Sequence, residues 1–181
     1  MKILLVDDFP VVLHGLKRLL LEAYPKAELI EVIDGSSVLE LSKSSKWDLI
    51  ILDIQLGTRD GLEILKELIS HNKNQRVLIL SMFSEEIYAL RAMKLGAHGY
   101  ITKQSAPEEL ISAVNRILGG NKYISNNFAQ KLANNSRNKT SLLPHEKLSE
   151  REMQVLSQIV KGKEVGEISK SLFLSVSTIS T

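Results

Sequence analysis

Five short runs, residues 3–6, 29–33, 49–52, 77–80 and 99–101, are almost wholly apolar or β-branched, with Glu31 their one charged interruption. A strand with one wet face alternates apolar and polar residues, whereas a run that is apolar throughout has both faces covered. The stretches between the runs keep helical periodicity. Val12, Leu16, Leu19 and Leu20 share one face, as do Leu62, Leu65, Leu68 and Ile69. Ile87, Leu90 and Met93 follow, then Leu110, Ile111, Val114 and Ile117. Buried strands alternating with amphipathic helices predict a parallel sheet with helices on both sides, and five such units in the first ~120 residues predict one doubly wound α/β domain.

After residue 120 the pattern changes. Gly119 and Gly120 end the last periodic helix, as glycines commonly do. Residues 121–147 are polar, with a short helix predicted near 127–134, and read as a linker. Order returns at 148–181, where Ser149 and Glu152 form a capping box and Leu148 and Met153 a hydrophobic staple. The helix that follows is predicted to stop at Gly162, with a second over 164–172 and a third capped by Ser175. Charge follows the same division: residues 1–120 carry 14 Lys and Arg against 16 Asp and Glu, and residues 121–181 carry 9 against 5. A basic tail on a mildly acidic body is compatible with nucleic-acid contact. The chain has no cysteine, no signal-like core and no run of membrane length, so a cytoplasmic protein is expected.

In an open α/β sheet, ligands bind beyond the carboxyl ends of the strands. The residues there are Asp7 and Asp8 after the first strand, Asp53 after the third, Ser81 after the fourth and Lys103 after the fifth. Adjacent carboxylates at a buried strand end repel and need a positive partner. Three carboxylates meeting at one edge suit a hard divalent cation, Mg²⁺ above all. A hydroxyl and an ammonium opposite them complete a clamp for a phosphoryl group. Singly, each residue has a bland reading as a cap, a turn or a solvated charge. Their shared placement at one sheet edge favours function. Neither a G-x-x-x-x-G-K-[ST] loop nor a G-x-G-x-x-G turn occurs, which disfavours nucleotide binding.

At Asp7-Asp8, Asp53, Ser81 and Lys103 the chain resembles a response regulator of bacterial two-component signalling. Through LSEREMQVL, the Gly162 break and LFLSVSTIST, residues 148–181 resemble the start of a LuxR/FixJ-type helix-turn-helix. The resemblance implies a flavodoxin-like five-stranded receiver over residues 1–120, the linker, and a partial, all-α DNA-binding domain over 148–181. It implies that a sensor histidine kinase donates a phosphoryl group to Asp53. Asp8, Asp53 and the backbone carbonyl of Gln55 would hold Mg²⁺, and Asp7 would act mainly through metal-bound water. Lys103 and Ser81 would bind phosphoryl oxygens, and Tyr100 would turn inward as a switch aromatic. A homodimer would form through the face made by the fourth helix, fifth strand and fifth helix. Promoter DNA would be read by the last helix, with Ser177, Thr178 and Thr181 as candidate contacts. That helix has only residues 176–181, so DNA binding by this length of chain alone is not expected, while a longer parent would be a transcription factor. The alternative is a receiver acting as a phosphate sink or interaction switch. A phosphatase acting on external substrates would need an acid two residues after Asp53, where Gln55 stands. Four departures from the family pattern are Phe9 where many relatives have His, Gln104 after Lys103 where proline is common, Gly57 at a usual proline, which predicts a looser loop, and Val165-Gly166, poor helix formers where the output family has polar helix formers.

Overall fold

The computed structural model describes residues 1–57, 59–137 and 163–172, with Glu152, Val155, Gln158, Ile159, Leu174, Ser175 and Thr178. The chain divides into two compact units, Met1–Asn135 and Ser136–Thr181. In the first, the order is β1 (Lys2–Val6), α1 (Pro10–Ala23), β2 (Glu28–Val32), α2 (Gly35–Ser44), β3 (Leu49–Leu52), a hairpin of β4 (Gln55–Leu56) and β5 (Arg59–Asp60), α3 (Gly61–His71), β6 (Val77–Ser81), α4 (Glu85–Lys94), β7 (Gly99–Thr102) and α5 (Ala106–Leu118). α6 (Asn126–Arg137) begins in this unit, and α7 (Val165–Leu172) lies in the second.

The five long strands form one parallel sheet in the order β2-β1-β3-β6-β7. Strand order reverses direction beside β1, so a crevice opens at the carboxyl ends of β1 and β3. All four residues of β3 and all five of β6 are buried, which explains their unbroken apolar sequences. On one side of the sheet, Ile3, Leu5, Ile51, Leu78 and Leu80 pack with Leu13, Leu16 and Leu20 of α1 and Leu110, Val114 and Ile117 of α5. Burying each such side chain contributes about 1.5–3 kcal/mol before entropy is subtracted.

One helix face differs from the expectation. On α4 the buried residues are Tyr88, Ala89 and Ala92, and Ile87, Leu90 and Met93 are only half-buried. Small side chains let this helix lie close on its neighbours, and the bulkier stripe turns partly outward. The stretch after α5 also does more than connect. Tyr123 bridges in parallel to Gly99, extending the exposed edge of β7. No helix among the described residues is long and apolar enough to cross a membrane.

In the second unit, Ile168 and Leu172 are the buried face of α7. Beyond it, Ser175 Oγ accepts the Thr178 N–H at 3.2 Å, the arrangement expected of a helix cap. Ser149 and Met153 of the predicted cap and staple, and Gly162, lie outside the described residues.

Candidate functional site

Strand register assembles the site. Val6 of β1 is level with Leu52 of β3, so the next residues, Asp7 and Asp53, emerge side by side at the carboxyl edge. Ser81 is level with Thr102, which places Lys103 at the same edge across β6. The Lys103 N–H donates to the Ser81 carbonyl at 2.8 Å, tying those two strand ends together. Residues separated by up to 96 positions in sequence thereby converge, and oxygen atoms of Asp7, Asp8 and Asp53 all lie within 4.8 Å of one another.

Lys103 is the counter-ion. Its Nζ stands 2.6 Å from Asp7 Oδ2 and 2.7 Å from Asp53 Oδ2, and its side chain is only 8% exposed. One ammonium thus serves two buried carboxylates, with a third, Asp8, beside them. Burial pushes Asp53 up to about 7, the charge of Asp7 pushes the same way, and Lys103 opposes both. Burial likewise raises Asp7 against the pull of Lys103. For Lys103 burial favours the neutral amine, yet the two aspartates overcome it and hold the ammonium above its usual range.

The remaining carboxylate oxygens show where a ligand fits. Asp7 Oδ1 accepts the Phe9 N–H at 2.9 Å, and Asp8 Oδ2 accepts the Gly57 N–H at 3.2 Å. Among the described residues, Asp8 Oδ1 and Asp53 Oδ1 are buried with no well-formed hydrogen bond, the Gln55 N–H giving the Asp53 carboxylate electrostatic support only. Buried, unpartnered carboxylate oxygens are costly unless a cation satisfies them, and an all-oxygen donor set suits a hard divalent ion. The cluster is therefore able to hold a metal ion, and its residues fit Mg²⁺.

Gly57 is more than a loose point. It turns the β4–β5 hairpin with φ of +55°, a conformation proline cannot adopt, and supplies an N–H that proline lacks. Gln55 lies in β4, immediately before this turn. Phe9 covers the other side of the site, with the Lys103 Nζ 5.3 Å from its ring centroid. Neither role was legible beforehand, because both depend on which distant residue the loop approaches.

Ser81 is fully buried, and its Oγ accepts the Phe83 N–H at 3.3 Å. Tyr100 points inward here, fully buried, with its hydroxyl donating to the Phe83 carbonyl at 2.8 Å. Burial drives its phenol far above the ordinary tyrosine value. Of the candidate DNA contacts, Thr178 is exposed, while Ser177 and Thr181 lie outside the described residues.

Both parts of the chain match known proteins. Residues 3–115 match the response regulator receiver domain, and residues 146–181 match bacterial regulatory proteins of the luxR family. The response regulator GacA of Pseudomonas aeruginosa is 32% identical over 181 residues, covering 99% of this chain and 85% of its own. The response regulator UvrY of Escherichia coli is 29% identical over 180 residues, covering 99% and 83%. The crystal structure of a LuxR-family two-component response regulator from Aurantimonas superposes with a TM-score of 0.68 at 33% identity, covering 75% of this chain and 97% of that one. A structure of two RcsB dimers bound to two parallel DNAs gives 0.68 at 25% identity, covering 99% and 86%.

Proposed function

Because the chain belongs to the response regulators that join a receiver domain to a LuxR-type DNA-binding domain, we propose that Asp53 is its phosphoacceptor and that phosphorylation there controls a transcriptional output. The observation that carries this reading is the convergence of Asp7, Asp8, Asp53 and Lys103 on one buried crevice. A sensor histidine kinase is the donor. An Asp53 carboxylate oxygen forms the new bond to phosphorus as the P–N bond to the donor histidine breaks, and the departing imidazole takes up a proton.

The chain's own residues supply position and charge. Asp8 and Asp53, with the Gln55 carbonyl, would hold Mg²⁺, and Asp7 would act mainly through water. When bound, that ion neutralises charge on the transferring group. Lys103 is already 2.7 Å from Asp53 and moves onto a phosphoryl oxygen with little rearrangement. Ser81 donates to another oxygen, and Tyr100 packs behind it. Chemistry is confined to Asp53, with no external substrate. The output is a shift in population, limited by how differently the two states contact the phosphoryl group. Dimerisation through the α4–β7–α5 face and promoter binding through the second unit, with Ser177, Thr178 and Thr181 as contacts, follow from it.

Fluorescence anisotropy on DNA selected from a random pool tests the output. Treatment with Mg²⁺ and acetyl phosphate is expected to tighten binding at least about tenfold. Equal, salt-sensitive affinity with and without the donor would instead indicate a receiver serving as a phosphate sink or interaction switch.

A further inference from the structure

We propose that residues 123–131 form a latch over the α4–β7–α5 face, closing it to a second copy of this chain until the β6–α4 loop moves. The trigger and the second copy as occupant rest on the phosphoacceptor and dimer readings above; the contacts that make the latch are in the structure. Tyr123 occupies β7: its N–H donates to the His98 carbonyl at 2.8 Å, and its carbonyl accepts the Tyr100 N–H at 3.3 Å. Its hydroxyl donates to Glu109 of α5 at 3.1 Å. Ser125 occupies α4, its N–H donating to Glu85 Oε1 at 3.4 Å and its hydroxyl to Glu85 Oε2. The same Ser125 Oγ accepts the Phe128 N–H at 3.1 Å and so starts α6. Phe128 is buried, and Lys131 pairs with Glu86. One short stretch therefore engages every element of the face.

The latch is wired to the phosphoacceptor end of the sheet by alternate residues of one loop. Ser81 accepts the Phe83 N–H, the Phe83 carbonyl accepts the Tyr100 hydroxyl, and the Phe83 ring stacks on Tyr88 at 4.7 Å. Two residues further on, Glu85 holds Ser125. A shift of Ser81 toward a phosphoryl group pulls on Phe83 and on the first turn of α4, where the clamp is made. The outer tie, Lys131 to Glu86, is more than half exposed and worth little by itself, so Phe128 and the Ser125 clamp carry the hold. The occupant that displaces the latch is a second copy. Glu85 and Glu86, which the latch holds, open the same helix as the half-buried Leu90 and Met93, so release joins both carboxylates to that apolar surface.

Hydrogen exchange and sedimentation velocity on the full 181-residue chain, without any phosphodonor, test this. Phe128→Ala is expected to speed exchange of α6 amides at least about tenfold and to produce dimer at concentrations where wild type is monomeric. Lys131→Glu, a surface change that leaves the core intact, is expected to act in the same direction more weakly, and Glu86→Lys with Lys131→Glu to restore wild-type behaviour. Unchanged α6 exchange, or a freed α6 in a chain that stays monomeric, would overturn the latch. Because no donor is present, either outcome is independent of whether Asp53 accepts a phosphoryl group.

Discussion

Gly61→Ala is expected to lower the melting temperature by about 10 °C and to slow phosphorylation of Asp53 roughly a hundredfold. A Cβ at Gly61 would lie 2.1 Å from the Asp53 carbonyl oxygen and 2.7 Å from Ile54 Cα, and both are backbone. No side-chain rotation relieves that overlap. The Gly61 N–H also donates to the Ile54 carbonyl at 2.7 Å, and Asp60 caps the helix from the adjacent position by accepting the Leu62 N–H at 2.8 Å. The methyl group must therefore push the β3–β4 segment away from α3. Overpacking of this kind costs about 3 kcal/mol or more, and each kcal/mol lowers the midpoint of a chain this size by about 2–4 °C. Displacing Asp53 by about 1 Å is enough for a hundredfold loss in rate. Gly15→Ala is the control: beyond its own helix backbone, nothing among the described residues lies within 4 Å of its Cβ position, and a helix interior gains up to about 1 kcal/mol from the change. Thermal melts, with the rate of mass gain from acetyl phosphate, check both variants. Equal behaviour of the two would mean that the close approach at Gly61 does not constrain the site.

The second large effect comes from Lys103→Ala. Removing one partner of a buried ion pair leaves charge unbalanced and costs about 3–5 kcal/mol. Here the loss strands two carboxylates, Asp7 and Asp53, each almost without exposure. The cost depends on pH with a definite sign. Folded Asp53 stands at about 7 against an ordinary 3.8, so between those values the folded chain binds the proton more tightly than the unfolded one. The stability linked to that proton is fully present below 3.8 and is lost as pH rises through about 7. Without Lys103 the opposing pull disappears and the loss is larger. Denaturant midpoints in EDTA should therefore differ least near pH 4 and most near pH 8, and saturating Mg²⁺ should narrow the gap at pH 8. A gap independent of pH would show that Lys103 is not the counter-ion of this cluster. Mg²⁺ binding should survive in the variant while phosphorylation no longer drives dimerisation, since the ammonium is the group proposed to follow the phosphoryl oxygen.

Much of this was legible because buried parallel strands are written without alternation. Residues 49–52 and 77–80 declare their layer by composition alone, and the rule that ligands gather beyond strand ends brings Asp7, Asp8, Asp53, Ser81 and Lys103 together. What stayed hidden depends on distance across the fold. The two-residue strands of the β4–β5 hairpin carry no periodicity to detect. Gly57 looked like lost rigidity, and the structure gives it a left-handed turn with an N–H on Asp8. On α4 the largest apolar residues drew the predicted face toward Ile87, Leu90 and Met93, whereas Ala89 and Ala92 sit inward with Tyr88 because close packing favours small side chains. Residues 121–125 looked polar enough to be a tether, yet backbone bonding of Tyr123 to β7, which no side-chain pattern encodes, draws them onto the sheet edge.

Intact-mass analysis after incubation with Mg²⁺ and acetyl phosphate or phosphoramidate tests the phosphoacceptor most directly. The expected result is the gain of a single phosphoryl group by the wild-type chain, abolished by EDTA and absent from Asp53→Asn. A phosphoryl group gained equally by Asp53→Asn, or no gain by a folded wild-type chain, would contradict it.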